Sequence, residues 1–119
     1  MRTPRMKEGD VVLTPVPQAD GQFKNRPALF LRTMPPFNDV LVCGISTQLQ
    51  QQVAGFDEVV RRQDADFPNS GLAADSLIRL GFLALIPQKK IIGSIGAIAA
   101  GRHQQLLKNL SRHLYKQAA

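Results

Sequence analysis

Three apolar runs separated by turn-forming residues occupy the first part of the chain, and this pattern predicts antiparallel strands. The runs cover residues 11–17, 27–33 and 39–47 and contain many β-branched and large aliphatic side chains. Asp20 and Gly21 mark a turn after the first run, and residues 34–38 form a loop between the second and third. The second and third runs are predicted to pair as two mostly buried strands.

The middle of the chain is polar until a second apolar segment begins at Ser76. Residues 48–71 predict a long loop with one short strand at residues 56–60. Residues 76–86 predict a strand that ends before Pro87, with Arg79 on one face. The opposite face is predicted to carry Ile78, Leu80, Phe82, Ala84 and Ile86.

The C-terminal part predicts one more strand and then a helix. Residues 89–96 are expected to form a glycine-bent strand at which a small barrel closes. Residues 99–115 predict an amphipathic helix whose start lacks a capping side chain and contains Gly101. Its apolar stripe comprises His103, Leu107, Leu110 and Leu114, with Leu106 beside it. The predicted fold is mainly β: an SH3-like β-barrel with a C-terminal amphipathic helix, in a single domain covering residues 1–119.

The charge of the chain is strongly basic and unevenly distributed. The net charge is +6 and the isoelectric point is about 10.1, while all nine acidic residues lie at or before Asp75. Residues 76–119 therefore contain seven Lys or Arg residues and no acid. This distribution favours a polyanionic partner, either nucleic acid or an acidic protein, although solvation of a surface accounts equally well for any individual cation.

Cysteine, histidine and the N-terminus limit the other classes of function. The single cysteine, Cys43, lies in an apolar run, which predicts a small buried side chain in a reduced, cytoplasmic protein. His103 and His113 are ten residues apart, about 15 Å along a helix, so they cannot share a metal ion, and we expect neither metal nor cofactor. His103 is predicted to pack in the core and His113 to be exposed. The N-terminal sequence has no signal-like h-region, and no stretch approaches about 18 uninterrupted apolar residues. We therefore expect neither export nor membrane insertion.

Several short motifs occur in the order and spacing of one toxin family. They lie at residues 9–13, 24–29, 45–48, 71–79 and 92–96. Together they span residues 9–114 and resemble the MazF/PemK family of type II toxin–antitoxin systems. The resemblance implies an SH3-like barrel homodimer that cleaves single-stranded RNA without metal, leaving a 2′,3′-cyclic phosphate and a 5′-hydroxyl. It also implies an acidic antitoxin as partner.

The resemblance assigns the catalytic residues. Arg26 matches the arginine of the family's Arg-Pro motif, and its planar guanidinium suits the charge that develops on a phosphate. Ser46 stands where active members carry threonine, and Thr47 stands where serine is common. Neighbouring residues on a strand point to opposite faces, so we expect only one of these hydroxyls to reach the site unless the chain turns there, and we favour Ser46.

The same comparison assigns the RNA-binding residues. Phe23, Lys24 and Asn25, with the loop from residue 18, match a loop that gates substrate; Phe23 is expected either to stack on a base or to join the core. The remaining RNA-binding residues are Gln48, Asp75, Ser76 and Arg79. Asp75 is a candidate for proton transfer or for capping the turn at Ser76.

Two departures from the family motivate two alternative functions. One is the exchanged order of the hydroxyl residues Ser46 and Thr47. Gly81 and Phe82 stand where many relatives have Asp and Gln, so no carboxylate remains there. A divergent relative that binds RNA without cleaving it is one alternative. The other is a gyrase inhibitor like CcdB, which is disfavoured because such proteins end in Trp-Gly-Ile, whereas this chain contains no Trp.

Overall fold

The chain forms one six-stranded antiparallel sheet with a long helix after it. The computed structural model describes residues 6–17 and 19–117. The strands are β1 (Asp10–Pro17), β2 (Phe23–Met34), β3 (Asp39–Ser46), β4 (Glu58–Val60), β5 (Ser76–Ile86) and β6 (Gly93–Ala97). The helices are α1 (Phe67–Ser70) and α2 (Ala100–Tyr115), and 3₁₀ turns occupy Leu49–Gln51 and Gln88–Lys90. The strand order is β4-β5-β3-β2-β1-β6, and the sheet curls into a half-barrel with β4 and β6 at its edges. The prediction of a mainly β fold with a C-terminal helix is confirmed.

The first three predicted strands are confirmed, and β2 is longer than expected. It begins at Phe23, four residues before the predicted start at Pro27. The additional residues pair with β1, whose register runs from Val11 opposite Leu29 to Pro17 opposite Phe23. This partner satisfies backbone groups of a polar segment that has no strand pattern of its own.

The middle segment is more ordered than a loop. The short strand predicted at residues 56–60 is present as β4, from Glu58 to Val60. A 3₁₀ turn at Leu49–Gln51 and the single-turn helix α1 were not predicted. Asp57 organises the approach to β4, because its buried carboxylate accepts hydrogen bonds from the backbone N–H groups of Val53 (2.9 Å) and Leu80 (3.0 Å).

The sheet has an apolar core on each face, because successive residues of a strand point to opposite sides. The first core lies under α2 and includes Val11, Leu29, Leu31, Cys43, Ile45, Leu106 and Leu110. The second core, on the other face, comprises Val12, Ala28, Phe30, Val40, Val42 and Ile91. Cys43 is fully buried, as predicted.

A bulge in β5 corrects the predicted face of that strand. Gly44 lies opposite Arg79, whereas the preceding residue of β3, Cys43, lies opposite Leu83. Residues 80–82 of β5 lie between these two pairs and reverse the alternation of the strand. Ile78 and Leu80 therefore pack in the first core, whereas Ala84 and Ile86 pack against the second, and Phe82 is 46% exposed. The prediction that all five apolar residues share one face is wrong.

The last strand begins later than predicted. Residues 88–90 form a 3₁₀ turn, and β6 starts at Gly93 instead of Lys89. Ile91, at the end of this turn, is buried in the second core, so the chain crosses that face before β6 pairs with β1. Closure of a barrel at this strand is not observed in the described sheet, where β6 is an edge.

Helix α2 is confirmed, with a shifted apolar stripe. Leu106 and Leu110 are buried and Leu107 packs against the first core, but Leu114 is 71% exposed and belongs to neither core. His103 is half-buried, and its Nε2 lies 2.8 Å from the carbonyl oxygen of Leu31. His113 is exposed, as predicted, and its ring centroid lies 5.0 Å from that of Phe56. No helix in the described part of the chain has the length and apolar character needed to cross a membrane.

The start of α2 is capped by a residue distant in sequence. The carboxylate of Asp66 accepts a hydrogen bond from the backbone N–H of Ala99 (3.0 Å) and two from the guanidinium of Arg102 (2.8 and 3.0 Å). The same guanidinium contacts Glu58 and Asp64, each at 3.1 Å. This network provides the cap that the sequence near Ala99 lacks.

Candidate functional site

A groove of about 730 Å³ lies on the sheet face that carries the second core. Its floor includes Ala28, Val42, Ala84 and Ile86, which are apolar and come from three neighbouring strands. A curved sheet forms a concavity of this kind where strands bend around a bulge, here the one between β3 and β5. The groove is therefore a consequence of the sheet register rather than of a single loop.

The sheet register brings most of the predicted catalytic and RNA-binding residues to one end of this groove. The lining residues include Arg26, Ser46, Thr47, Gln48, Ser76 and Arg79. Ala28 lies opposite Gly44 in the β2–β3 pair. Arg26 lies two residues before Ala28 and Ser46 lies two residues after Gly44, so strand alternation directs both side chains to the same face of the sheet. Arg79 lies opposite Gly44 and so faces the same groove from β5.

The electrostatic character of this end is positive. Arg26 is exposed on β2, and Arg79 is half-buried on β5. Among the described residues that line the groove, none is acidic and none is a histidine. Two guanidinium groups above an apolar floor form a site for a planar or tetrahedral anion such as a phosphodiester.

Both hydroxyl candidates line the groove, because the chain turns directly after β3. The backbone N–H of Leu49 donates to the carbonyl oxygen of Thr47 (3.0 Å), which begins the 3₁₀ turn. Ser46 is half-buried, and its Oγ accepts a hydrogen bond from the backbone N–H of Gln48 (3.0 Å). The Ser46 hydroxyl therefore still has a proton to donate, and Thr47 presents a second, more exposed hydroxyl.

Asp75 and Ser76 have local structural contacts. One carboxylate oxygen of Asp75 accepts a hydrogen bond from the backbone N–H of Arg62 (2.8 Å), and the other lies 3.9 Å from the guanidinium of Arg61. These contacts hold the loop after β4. Asp75 is not among the residues that line the groove. Ser76 is buried, and its hydroxyl donates to the carbonyl oxygen of Ala74 (2.8 Å).

The predicted loop residues extend β2 beyond the groove. Lys24 and Asn25 are exposed in the part of β2 that pairs with β1, and Phe23 is 69% exposed, so the alternative that Phe23 joins the core is wrong. None of the three is among the residues that line the groove. Gln18, the first residue of the predicted gating loop, lies outside the described residues.

Phe82 and Gly44 form a contact at the groove that the sequence did not identify. Phe82 lines the groove from the bulge of β5, and its ring packs against Gly44. A Cβ on Gly44 would lie 3.2 Å from the nearest ring carbon of Phe82, closer than ordinary contact. An isolated glycine inside a β-branched strand is a recognised signal of close approach, and it was the available clue to this contact.

Thiol and metal chemistry have no support at this groove. Burial and, to a smaller extent, the nearby Asp57 carboxylate raise the pKa of the Cys43 thiol to about 12, so the thiol stays protonated at neutral pH. Cys43 belongs to the first core, on the opposite face of the sheet. Within the described residues, no group of three or more His, Cys, Asp or Glu side chains is arranged to hold a metal ion.

Comparison with known proteins agrees with the motifs and the fold. A comparison with curated proteins gave no match. A family model described as PemK-like, MazF-like toxin of type II toxin–antitoxin system matches residues 7–114, which include the six described strands, α1, all of α2 except Tyr115, and the described residues that line the groove. The chain therefore belongs to the PemK-like, MazF-like family of type II toxins.

Proposed function

We propose that this toxin is a metal-independent endoribonuclease that cleaves single-stranded RNA in the groove between β2, β3 and β5. The observation that carries the proposal is that Arg26, Ser46 and Arg79 line one groove, with no acid among its described lining residues. An apolar floor beneath these groups strengthens their electrostatic effect, because water is partly excluded from it.

The proposed reaction is an internal transesterification of RNA. The 2′-oxygen attacks the adjacent phosphorus, the bond from phosphorus to the 5′-oxygen breaks, and the products are a 2′,3′-cyclic phosphate and a 5′-hydroxyl. Arg26 stabilises the charge that develops on the nonbridging phosphate oxygens, and the Ser46 hydroxyl donates a hydrogen bond to one of them. Thr47 is the second candidate donor.

The groove supplies orientation and electrostatic stabilisation more readily than proton abstraction. Its described lining residues include no carboxylate or imidazole, and a guanidinium group offers hydrogen-bond donors but no acceptor. In this proposal the proton of the 2′-hydroxyl therefore passes to solvent or to a phosphate oxygen, and the leaving 5′-oxygen takes up a proton from solvent or from that phosphate oxygen. Such a mechanism gives a modest rate that depends strongly on the two arginines.

The principal test is cleavage of a long unstructured RNA in the presence of EDTA, followed by mapping of the ends. We expect discrete cuts with cyclic phosphate ends. Arg26→Ala should reduce the rate by about 100-fold or more, the usual effect of removing one transition-state donor. Arg32→Ala is the matched control, because Arg32 lies on the same strand, is exposed, pairs with Glu8 and does not line the groove. Full cleavage by Arg26→Ala would exclude the assigned role.

The hydroxyl assignment requires its own comparison. Ser46→Ala should reduce cleavage more than Thr47→Val, because Ser46 is held in β3, whereas Thr47 lies in the turn after the strand. The free energy of unfolding of each variant should be measured as well, since the Ser46 hydroxyl also accepts the Gln48 N–H. Equal rates for Ser46→Ala and the unmodified protein would transfer the role to Thr47 or to another group.

A second candidate function is RNA binding without cleavage. Phe82 lines the groove, and it stands with Gly81 where the resemblance to the family leads us to expect a polar pair. The described lining residues also include no acid and no histidine. Both observations favour this second function. Tight, salt-sensitive RNA binding without new 5′-hydroxyl ends would favour this function. Inhibition of DNA supercoiling would instead favour a gyrase inhibitor.

The proposed assembly is a homodimer that an acidic antitoxin inhibits by covering the groove. Large apolar side chains remain exposed at Phe82, Leu83, Leu85, Ile92 and Ile95, which a partner subunit could bury. The acid-free lining of the groove suits an acidic antitoxin segment. A monomeric mass by light scattering at micromolar concentration would contradict the dimer.

A further inference from the structure

An aromatic side chain is exposed at the tip of the β2–β3 hairpin, away from the catalytic end of the groove. Phe37 is 81% exposed and follows two prolines in the turn between Met34 and Asp39. Within the described residues, Phe37 belongs to neither apolar core. A side chain of this size in water contributes little to folding, and its ring is accessible to a ligand.

Two exposed lysines lie in the segment that is tied to this tip. Gln88 begins the 3₁₀ turn that contains Lys89 and Lys90, and its side-chain N–H donates to the carbonyl oxygen of Asn38 (2.9 Å). Neither lysine forms an ion pair with any residue of the described segments. The acid nearest to the tip in sequence is the half-buried Asp39. The segments at the tip therefore contain two lysines and one carboxylate. We call Phe37, Lys89 and Lys90 the tip platform.

The tip platform continues the groove. β5 carries Arg79 at the catalytic end of the groove and Ile86 at the other, and the chain then enters the turn with Lys89 and Lys90. Arg79 lies opposite Gly44 and Ile86 lies opposite Val40. Four strand residues separate these positions, a length of about 13 Å. The hydrogen bond between Gln88 and Asn38 holds the turn after Ile86 next to the hairpin tip, so a strand of RNA that follows the groove from Arg79 to Ile86 runs toward the tip platform.

We propose that the tip platform binds the single-stranded RNA that flanks the cleavage site. A base stacks on the ring of Phe37, and Lys89 and Lys90 contact neighbouring phosphates. An exposed aromatic ring beside unpaired cations is the combination by which proteins hold single-stranded nucleic acid with little sequence preference. The tip platform thus sets the length and the single-stranded form of the preferred substrate, whereas the groove selects the cleaved phosphodiester. This inference rests on the proposed function, because it requires RNA in the groove.

The test compares the binding of short and long RNA. The probes are 2′-O-methyl RNAs, which cannot be cleaved, centred on a site mapped with the unmodified protein and about 6 or 18 nucleotides long. The variants are Phe37→Ala, Phe37→Leu and the double variant Lys89→Gln/Lys90→Gln. The matched control is Lys108→Gln/Lys116→Gln, which removes two exposed charges from the C-terminal helix and its end. Kd is measured for both lengths over a range of salt concentrations.

The expected result is a specific loss of the affinity that the longer RNA provides. Phe37→Ala should reduce the ratio of short-RNA Kd to long-RNA Kd by about fivefold or more, the usual effect of removing one stacking platform. Phe37→Leu should show a similar loss, because it retains apolar volume without an aromatic face. The double lysine variant should reduce the salt slope for long RNA by about 1.4. The control should retain both the ratio and the slope.

Three outcomes would overturn the inference. An unchanged ratio in all three tip variants, with cleavage still dependent on Arg26, would reject the tip platform and leave the proposed function intact. A change from dimer to monomer in Phe37→Ala would assign the tip to self-association. Absence of both RNA binding and cleavage in the unmodified protein would reject the proposed function together with the tip platform.

Discussion

Replacing Arg102 with Met should destabilise the protein, because Arg102 joins three acidic residues to the start of α2. The side chains of Arg102 and Asp66 are 16% and 9% exposed, whereas those of Glu58 and Asp64 are 28% and 30% exposed. Removal of one partner from a fully buried pair costs about 3–5 kcal/mol. An exposed pair contributes about 0–1 kcal/mol. The partial burial places Arg102→Met at about 2–3 kcal/mol of unfolding free energy, a decrease in Tm of roughly 10 °C for a domain of this size.

The same contact predicts how stability depends on pH. Hydrogen bonds from Arg102 are the main reason that the pKa of Asp66 lies below its ordinary value. The folded protein therefore favours the ionised carboxylate, and this contribution is complete above the unfolded pKa of about 3.9. It is lost as the pH falls through the lower folded pKa. The difference in stability between the unmodified protein and Arg102→Met should thus be full at neutral pH and decrease below about pH 4.

Urea unfolding followed by circular dichroism measures both effects. Asp66→Asn retains an oxygen that can accept the Ala99 N–H but removes the charge, so a double-mutant cycle with Arg102→Met isolates the ion pair. We expect a coupling free energy of at least about 1 kcal/mol at neutral pH. A loss of less than about 0.5 kcal/mol in Arg102→Met, or a difference that does not change with acidification, would refute the reasoning.

Three further predictions concern backbone approach, helix propensity and thiol chemistry. Gly96→Ala should prevent stable folding, because the added Cβ would overlap the carbonyl oxygen of Asn69. Soluble yield and circular dichroism provide the test, and a folded variant would contradict this prediction. Gly101→Ala should raise the unfolding free energy by about 0.5–1 kcal/mol, because alanine favours helix and the added Cβ would have no described atom within 4 Å. An unchanged urea midpoint would contradict this prediction. Cys43 should not react with a thiol reagent at pH 8 until urea unfolds the protein, because burial raises its pKa to about 12; rapid reaction of the folded protein would show otherwise.

The site was predictable to the extent that it depends on strand alternation. Arg26 and Ser46 were identified from motifs, and both lie on the groove face because their positions have the same parity as Ala28 and Gly44. The presence of Thr47 at the same groove depends on the turn after β3, which a polar sequence of several glutamines does not specify. Asp75 shows the limit of motif reasoning, since its carboxylate contacts the backbone of Arg62 instead of the groove.

Phe82 was missed because its position depends on a bulge. Strict alternation along β5 places Phe82 in the same core as Ile78 and Leu80, but the additional residues opposite the Cys43–Gly44 step turn it into the groove. A bulge arises from the mismatch of two paired strands, so neither strand specifies it alone. The glycine that accommodates the ring is on β3, far from Phe82 in sequence.

The sequence by itself determined the strands β1, β2, β3 and β5, the helix α2, the burial of Cys43 and the family, because each of these follows from local periodicity, local composition or short motifs. Only the tertiary structure decided the β5 bulge, the turn at Lys89 and Lys90 and the cap of α2. The cap is the clearest case: the residues around Ala99 offer no side chain that can accept its backbone N–H, and the acceptor is Asp66, 33 positions earlier. Such contacts depend on how the sheet and the helix pack together, and a local sequence pattern contains no information about a partner that is distant along the chain.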